Sequence, residues 1–259
     1  YEIRELLTVT QDQEIISFAG GLPNPLSFPI QDLKIIVQDV LNNYGKVALQ
    51  YGATQGINEL REAITERSHK EGITTGISID NIMITSGSQQ ALDAVGKIFL
   101  NPGDIAMVGL PSYLGGINAF RSYEANLVGV PLDKEGMQMD LLDEKIKELI
   151  KQDMSVKFIY TIPTFQNPAG TVMPESRRKK LIDIAHEYDL VIIEDDPYSK
   201  LRYDAPAIKP IKAFDDEGRV IYMSTFSKIL APGIRLAWII APDDVMRKLA
   251  LCKQAQDLC

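Results

Sequence analysis

The sequence predicts an α/β fold: a mostly parallel, seven-stranded sheet sandwiched by helices. Two observations carry this. Short apolar runs alternate along the chain with stretches of helical periodicity, the order that generates βα units. Several of those runs are continuously apolar instead of alternating, as in strands covered on both faces. The composition allows it, since 259 residues with 45% hydrophobic content can bury a substantial core.

Along the chain, Leu33, Ile36, Val37, Val40 and Leu41 recur at helical spacing, as do Leu60, Ala63, Ile64 and the aliphatic stem of Arg67. A strand candidate at 81–85 precedes a third helix marked by Ala91, Leu92, Val95, Ile98 and Phe99. Strand candidates at 105–109 and 126–130 come next, then a helix on Leu142, Ile146, Leu149 and Ile150. Beyond a strand at 157–162, Leu181, Ile184, Ala185 and Tyr188 mark a fifth helix. Strands are predicted at 190–194, 220–224 and 236–241, and residues 243–251 read as helix. No repeat, low-complexity tract or linker interrupts this series.

Other features narrow the function. The net charge of −8, with no outstanding basic run, argues against a nucleic-acid partner. No apolar run has the length of a membrane span, and no signal segment opens the chain. Cys252 and Cys259 form no metal or disulfide framework, which fits a reducing cytoplasm. His69 and His186 sit on helix-like stretches and read as ordinary residues, and no metal site is expected. Dinucleotide and Walker phosphate motifs are absent. The chain starts at Tyr1 without an initiator methionine and stops at Cys259 inside a helix-like segment, so it is expected to belong to a longer protein.

In open α/β sheets ligands bind outside the carboxyl ends of the strands, so the loops there are the candidate site. After 81–85 stands Ser86-Gly87-Ser88-Gln89-Gln90, a small turn feeding a helix N-terminus, where free N–H groups suit an anion and Ser88 and Gln89 are natural donors. The alternative is plain N-capping by Ser86 or Ser88. After 157–162, prolines on both sides stiffen Pro163-Thr164-Phe165-Gln166-Asn167-Pro168-Ala169-Gly170 and limit where the Asn167 amide points. It could donate to a phenolate-like oxygen, or simply belong to a turn.

After 190–194, Glu194-Asp195-Asp196-Pro197-Tyr198 places three acids at the end of a buried strand, which is costly unless they are paired. A protonated pyridine nitrogen would be a good partner for Asp195 and would make the ring an electron sink, with Tyr198 on the ring oxygen. Asp196 reads as a surface acid on the loop. The last loop holds Thr225, Ser227 and Lys228, with Arg235 seven residues on. The amine suits a Schiff base to an aldehyde, while the hydroxyls and guanidinium suit its phosphate. Singly each loop is ambiguous; in this order they describe a pyridoxal-phosphate site.

With these segments assembled, the chain resembles class I/II aminotransferases of pyridoxal-phosphate fold type I. It is most like the branch containing 2-aminoadipate, kynurenine and archaeal aromatic aminotransferases. The likeness rests on the loops above, on Ser17-Phe18-Ala19-Gly20-Gly21-Leu22-Pro23-Asn24-Pro25, on Leu49-Gln50-Tyr51-Gly52 with Gly56, and on Pro111-Ser112-Tyr113. It covers nearly the whole chain. It implies that Lys228 binds the cofactor aldehyde and then moves the proton between the substrate Cα and the cofactor. It further implies that Asp195 pairs with the pyridinium, that Asn167 and Tyr198 bind the ring hydroxyl, and that Tyr113 stacks on the ring. Ser88, Gln89, Thr225, Ser227 and Arg235 hold the phosphate. Gly21 borders the substrate, as does Asn167, and Tyr51 reaches the neighbouring subunit's phosphate in a homodimer.

The resemblance thus implies a fold type I large domain over 46–259, incomplete at its carboxyl end. Residues 1–45 are expected to contribute to a small domain and the substrate pocket. The arginine that clamps the substrate α-carboxylate in relatives has no counterpart in this chain. The implied reaction moves the amino group of an aromatic or 2-aminoadipate-like amino acid to 2-oxoglutarate by a ping-pong cycle in the cytoplasm. Alternatives are a β-lyase or decarboxylase on the same fold, or the aminotransferase-like effector domain of a transcription regulator.

Overall fold

The computed structural model describes residues 21–204 and 206–258. Residues 1–20, which include the Ser17–Gly20 part of the amino-terminal motif, and Cys259 lie outside them. Eight strands form one sheet: β1 (Ile82–Ser86), β2 (Ile105–Leu110), β3 (Asn126–Asp133), β4 (Gly136–Met137), β5 (Val156–Thr161), β6 (Val191–Asp195), β7 (Val220–Thr225) and β8 (Leu236–Ile240). Their spatial order is β1-β8-β7-β6-β5-β2-β3-β4. The described helices are α1 (Ile30–Ala48), α2 (Asn58–Lys70), α3 (Ser88–Phe99), α4 (Leu114–Arg121), α5 (Met139–Lys151), α6 (Glu175–Glu187) and α7 (Asp243–Asp257).

The expected mostly parallel α/β sheet is present, with one more strand than the seven predicted. The extra strand, β4, is two residues that return antiparallel on β3 through a short turn, too brief to show a period. β8 also runs against its neighbours, antiparallel to both β1 and β7. Sequence reasoning also passed over α4, whose Gly115-Gly116 pair breaks the apolar stripe.

The central strands explain the continuous apolar runs. Side chains alternate between faces along a strand, and here both faces are covered. Phe158 and Tyr160 of β5 join Leu92, Phe120 and Met246 from α3, α4 and α7 in one core. Ile159, between them, joins Leu142 and Ile146 of α5 and Leu181 and Ile184 of α6 on the other side. A third cluster packs Ile64 of α2 on Ile82, Tyr222 and Trp238. Phe120 meets Phe158 and Tyr160 edge-on, with ring centroids 5.0 and 5.4 Å away.

Helix α1 stands apart from this core. None of its 19 residues is buried, and Ile35 and Val47 are 68% and 71% exposed. The helix runs across residue 45. Among the described residues no helix is long and apolar enough to cross a membrane.

Candidate active site

The carboxyl ends of β1, β5, β6 and β7 and the start of β8 share one edge of the sheet, as the register of Ser86 opposite Leu236 and Thr225 opposite Ala237 fixes. A cavity of about 210 Å³ opens there. Every residue singled out from the sequence lines it except Tyr51, which is 73% exposed and lies outside it. Ile162, Pro197 and Pro232 complete the wall as apolar neighbours that no chemical pattern marked.

Lys228 lies three residues past β7. Its Nζ donates to the Gly21 carbonyl at 3.0 Å, which sets Gly21 against the amine. Partial burial lowers its pKa from the ordinary lysine value and favours the neutral form. Opposite, Asp195 ends β6 and is 2% exposed. Tyr160 Oη donates to Asp195 Oδ2 at 2.8 Å, while Oδ1 is buried with no hydrogen-bond partner among the described groups. Burial, with the charge of Asp196 adding to it, pushes the Asp195 carboxyl up to about 7. An unpaired carboxylate oxygen at this depth is expensive, and a cationic N–H donor directed at it removes the cost. A pyridinium nitrogen is such a donor, so the residues present fit a pyridoxal ring.

The neighbouring acids have separate tasks. Glu194 is fully buried and accepts from the N–H groups of Ile211 and Lys212 at 2.7 and 2.8 Å, and burial raises it to about 7. Asp196, expected on the surface, is instead 4% exposed. It accepts from Ser199 Oγ at 2.7 Å and Tyr222 Oη at 2.9 Å, because its loop turns back over β7 instead of into solvent. Burial raises its pKa.

The amide side of the cavity is made by Asn167, whose Nδ2 donates to Tyr198 Oη at 3.3 Å. Tyr113 precedes α4, and its ring lies against Gly115, where a Cβ would overlap it. At the other end, α3 starts from Gly87 (φ 78°) with no side-chain cap, so neither Ser86 nor Ser88 caps it. Its first N–H groups stay available, as anion binding requires. The Arg235 guanidinium lies over Gly87 so closely that any Cβ there would collide with it. Arg235 itself holds a left-handed backbone (φ 56°) and donates to Pro232 O at 3.2 Å. Thr225 Oγ1 donates to Ser227 Oγ at 2.9 Å, and Gln89 Nε2 to Gly115 O at 3.1 Å.

Sequence reasoning missed Arg178. It stands in the run Arg177-Arg178-Lys179-Lys180, which looks like a solvated helix face. Arg177 does lie outward, against Asp133 and Glu135. Arg178 is 1% exposed and donates to Met173 O, Lys209 O, Pro163 O and Thr164 Oγ1 at 2.9–3.3 Å. The helical spacing to Leu181 and Ala185 places it on the inner face of α6, and that was the available signal.

The family profile described as aminotransferase class I and II matches residues 27–257. The chain belongs to this family. It is 53% identical over 258 residues to aromatic-amino-acid aminotransferase 1 of Thermococcus litoralis, covering 100% of this chain and 62% of that protein. It is 39% identical to the 2-aminoadipate transaminase of Thermus thermophilus, over 99% of this chain and 62% of that one. Among solved structures, the kynurenine aminotransferase of Pyrococcus horikoshii in complex with PMP superposes with a TM-score of 0.94 at 52% identity, covering 100% of this chain and 64% of that one. The chain thus spans a little under two thirds of the length of these relatives.

Proposed function

We propose that this chain is the cofactor-binding part of a pyridoxal-phosphate-dependent aminotransferase acting on aromatic or 2-aminoadipate-like amino acids, with 2-oxoglutarate as acceptor in a ping-pong cycle. The observation that carries this reading is the buried, unpartnered Asp195 Oδ1 facing the same cavity as the Lys228 amine. When bound, the cofactor supplies a covalent attachment for the amino group and a ring that takes up the electron pair left at the substrate Cα.

The chain's own residues do the rest. Lys228, biased toward its neutral amine by burial, would attach the cofactor and afterwards take the proton from the substrate Cα on Nζ and deliver it to the cofactor carbon bonded to the same amino nitrogen. Asp195 holds a cationic N–H at Oδ1, and Tyr160 fixes the carboxylate plane through Oδ2. Asn167 Nδ2 and Tyr198 Oη bind the ring oxygen and Tyr113 covers the ring face. The N-terminus of α3 with Ser88 and Gln89, together with Thr225, Ser227 and Arg235, binds the phosphate dianion. Gly21 borders the substrate side. Residues 1–45 are assigned to a small domain and 46–259 to the large one, with Tyr51 serving the site of a second copy.

The test is the visible absorption of the full-length protein with pyridoxal phosphate. A band that requires Lys228, being absent in Lys228→Ala, and that bleaches with an aromatic amino acid and returns with 2-oxoglutarate is expected. A band unchanged by Lys228→Ala overturns the assignment. One that ignores amino acids replaces the enzyme by a cofactor-sensing domain.

A further inference from the structure

Residues 163–173 connect β5 to α6 and carry Asn167. The feet of this loop are fixed: Met173 N–H donates to Pro163 O at 2.8 Å, Thr164 bridges Val172, and Arg178 clamps both sides. The tip is held differently. Gln166 is 6% exposed, and all of its hydrogen-bonding groups are engaged. Its N–H donates to Thr171 O at 2.9 Å, its carbonyl accepts from Gly170 N–H, and its Oε1 accepts from Ala169 N–H at 2.7 Å. These three wrap the tip around Asn167. The fourth leaves the loop: Nε2 donates to the carbonyl of Pro111 at 3.0 Å, two residues before Tyr113.

Asn167 and Tyr113 face the same cavity from different connections, β5–α6 and β2–α4. Asn167 also reaches outward, to Tyr198 Oη, but that bond is long at 3.3 Å and both of its groups line the cavity. A ligand oxygen seated between them takes over those hydrogen bonds. The Gln166–Pro111 bond then remains as the tie between loop tip and neighbouring wall.

We propose that Gln166 is a positioning residue that fixes Asn167 against Tyr113, so that edge and face of the cofactor ring are gripped together. The proposal rests on the pyridoxal-phosphate reading above.

The experiment is a mutant cycle on the apparent affinity of the full-length protein for pyridoxal phosphate. Asn167→Ala, Tyr113→Ala and the double variant are compared with Gln166 present and in Gln166→Met. With Gln166, the two substitutions are expected to depart from additivity by about threefold or more; in Gln166→Met they become additive. Gln166→Met alone weakens binding by about tenfold and alters the visible circular dichroism of the bound chromophore, which reports ring orientation. If Gln166→Met does not fold, Gln166→Glu runs the same cycle: at neutral pH it keeps the acceptor for Ala169 N–H and lacks the donor for Pro111. Native protein that binds pyridoxal phosphate, with coupling untouched in the Gln166 variant, overturns this proposal alone. Native protein that binds none overturns the functional reading and this proposal with it.

Discussion

Asp195 is a buried carboxyl with one oxygen unpartnered among the described groups, and its pH behaviour should test its proposed pairing with a cation without any assay of turnover. With Glu194 it has a folded-state pKa of about 7, well above the unfolded-chain value of roughly 4. A carboxyl raised in this way contributes stability that is fully present below pH about 4 and is lost as pH rises through about 7. Cofactor-free protein should therefore melt at progressively lower temperature from pH 5 to 8. Asp195→Asn removes its share, on the order of 3 kcal/mol, and should flatten the curve relative to the parent. Pyridoxal phosphate should flatten it too, because a cationic N–H at Oδ1 stabilises the ionised form. Thermal melts across that range for the two proteins check both statements; parallel curves would contradict them. The positions at this scale were largely legible because a buried strand delivers the residues just past its end to one rim of the sheet. Asp196 was not, since three consecutive acids give no sign of which will be folded under.

At the scale of elements, loops matter through what pins them. Gly87→Ala forces a Cβ against the Arg235 guanidinium and strains a backbone at φ 78°, so it should cost about 1–3 kcal/mol in stability and weaken pyridoxal-phosphate binding at least about tenfold. Urea melts and fluorescence titration separate the two effects. Arg178→Met removes four buried hydrogen bonds that tie three segments together and should destabilise by about 3–5 kcal/mol. Arg177→Met, facing Asp133 and Glu135 at the surface, should stay within about 1 kcal/mol. Equal losses in urea melts would refute the distinction. Element types could be read from periodicity where runs were long. β4 is too short to have a period, and α4 hides behind two glycines. The reversal of β8 was readable in principle. Only ten residues, 226–235, join it to β7, fewer than a parallel crossover needs.

At the scale of the whole molecule, a sheet covered by helices on both faces contrasts with α1, none of whose residues is buried among the described residues. Tyr51 lies just beyond that helix and outside the cavity, so its proposed role belongs to an assembly. Mixing Lys228→Ala with Tyr51→Phe subunits tests this. If Tyr51 acts across the interface, each mixed dimer regains one intact site and about half the native activity per dimer; if it acts within its own subunit, none is regained. No periodicity in one chain could show which copy a side chain serves, because in a dimer that information would lie in the contact between copies.

The antiparallel course of β8 has a geometric consequence. The chain leaves the rim at Thr225 and returns to it at Leu236 without crossing the sheet, so Lys228 and Arg235 are two marks on one short arc anchored at both feet. Their separation is a local measure, set by ten residues. The span from either one to Asn167 is instead summed across intervening strands and inherits any change in their twist. In their proposed roles, Lys228 and Arg235 would therefore act as a ruler of fixed length. Motions or substitutions that flex the sheet should rotate a ligand about that line before they release either end.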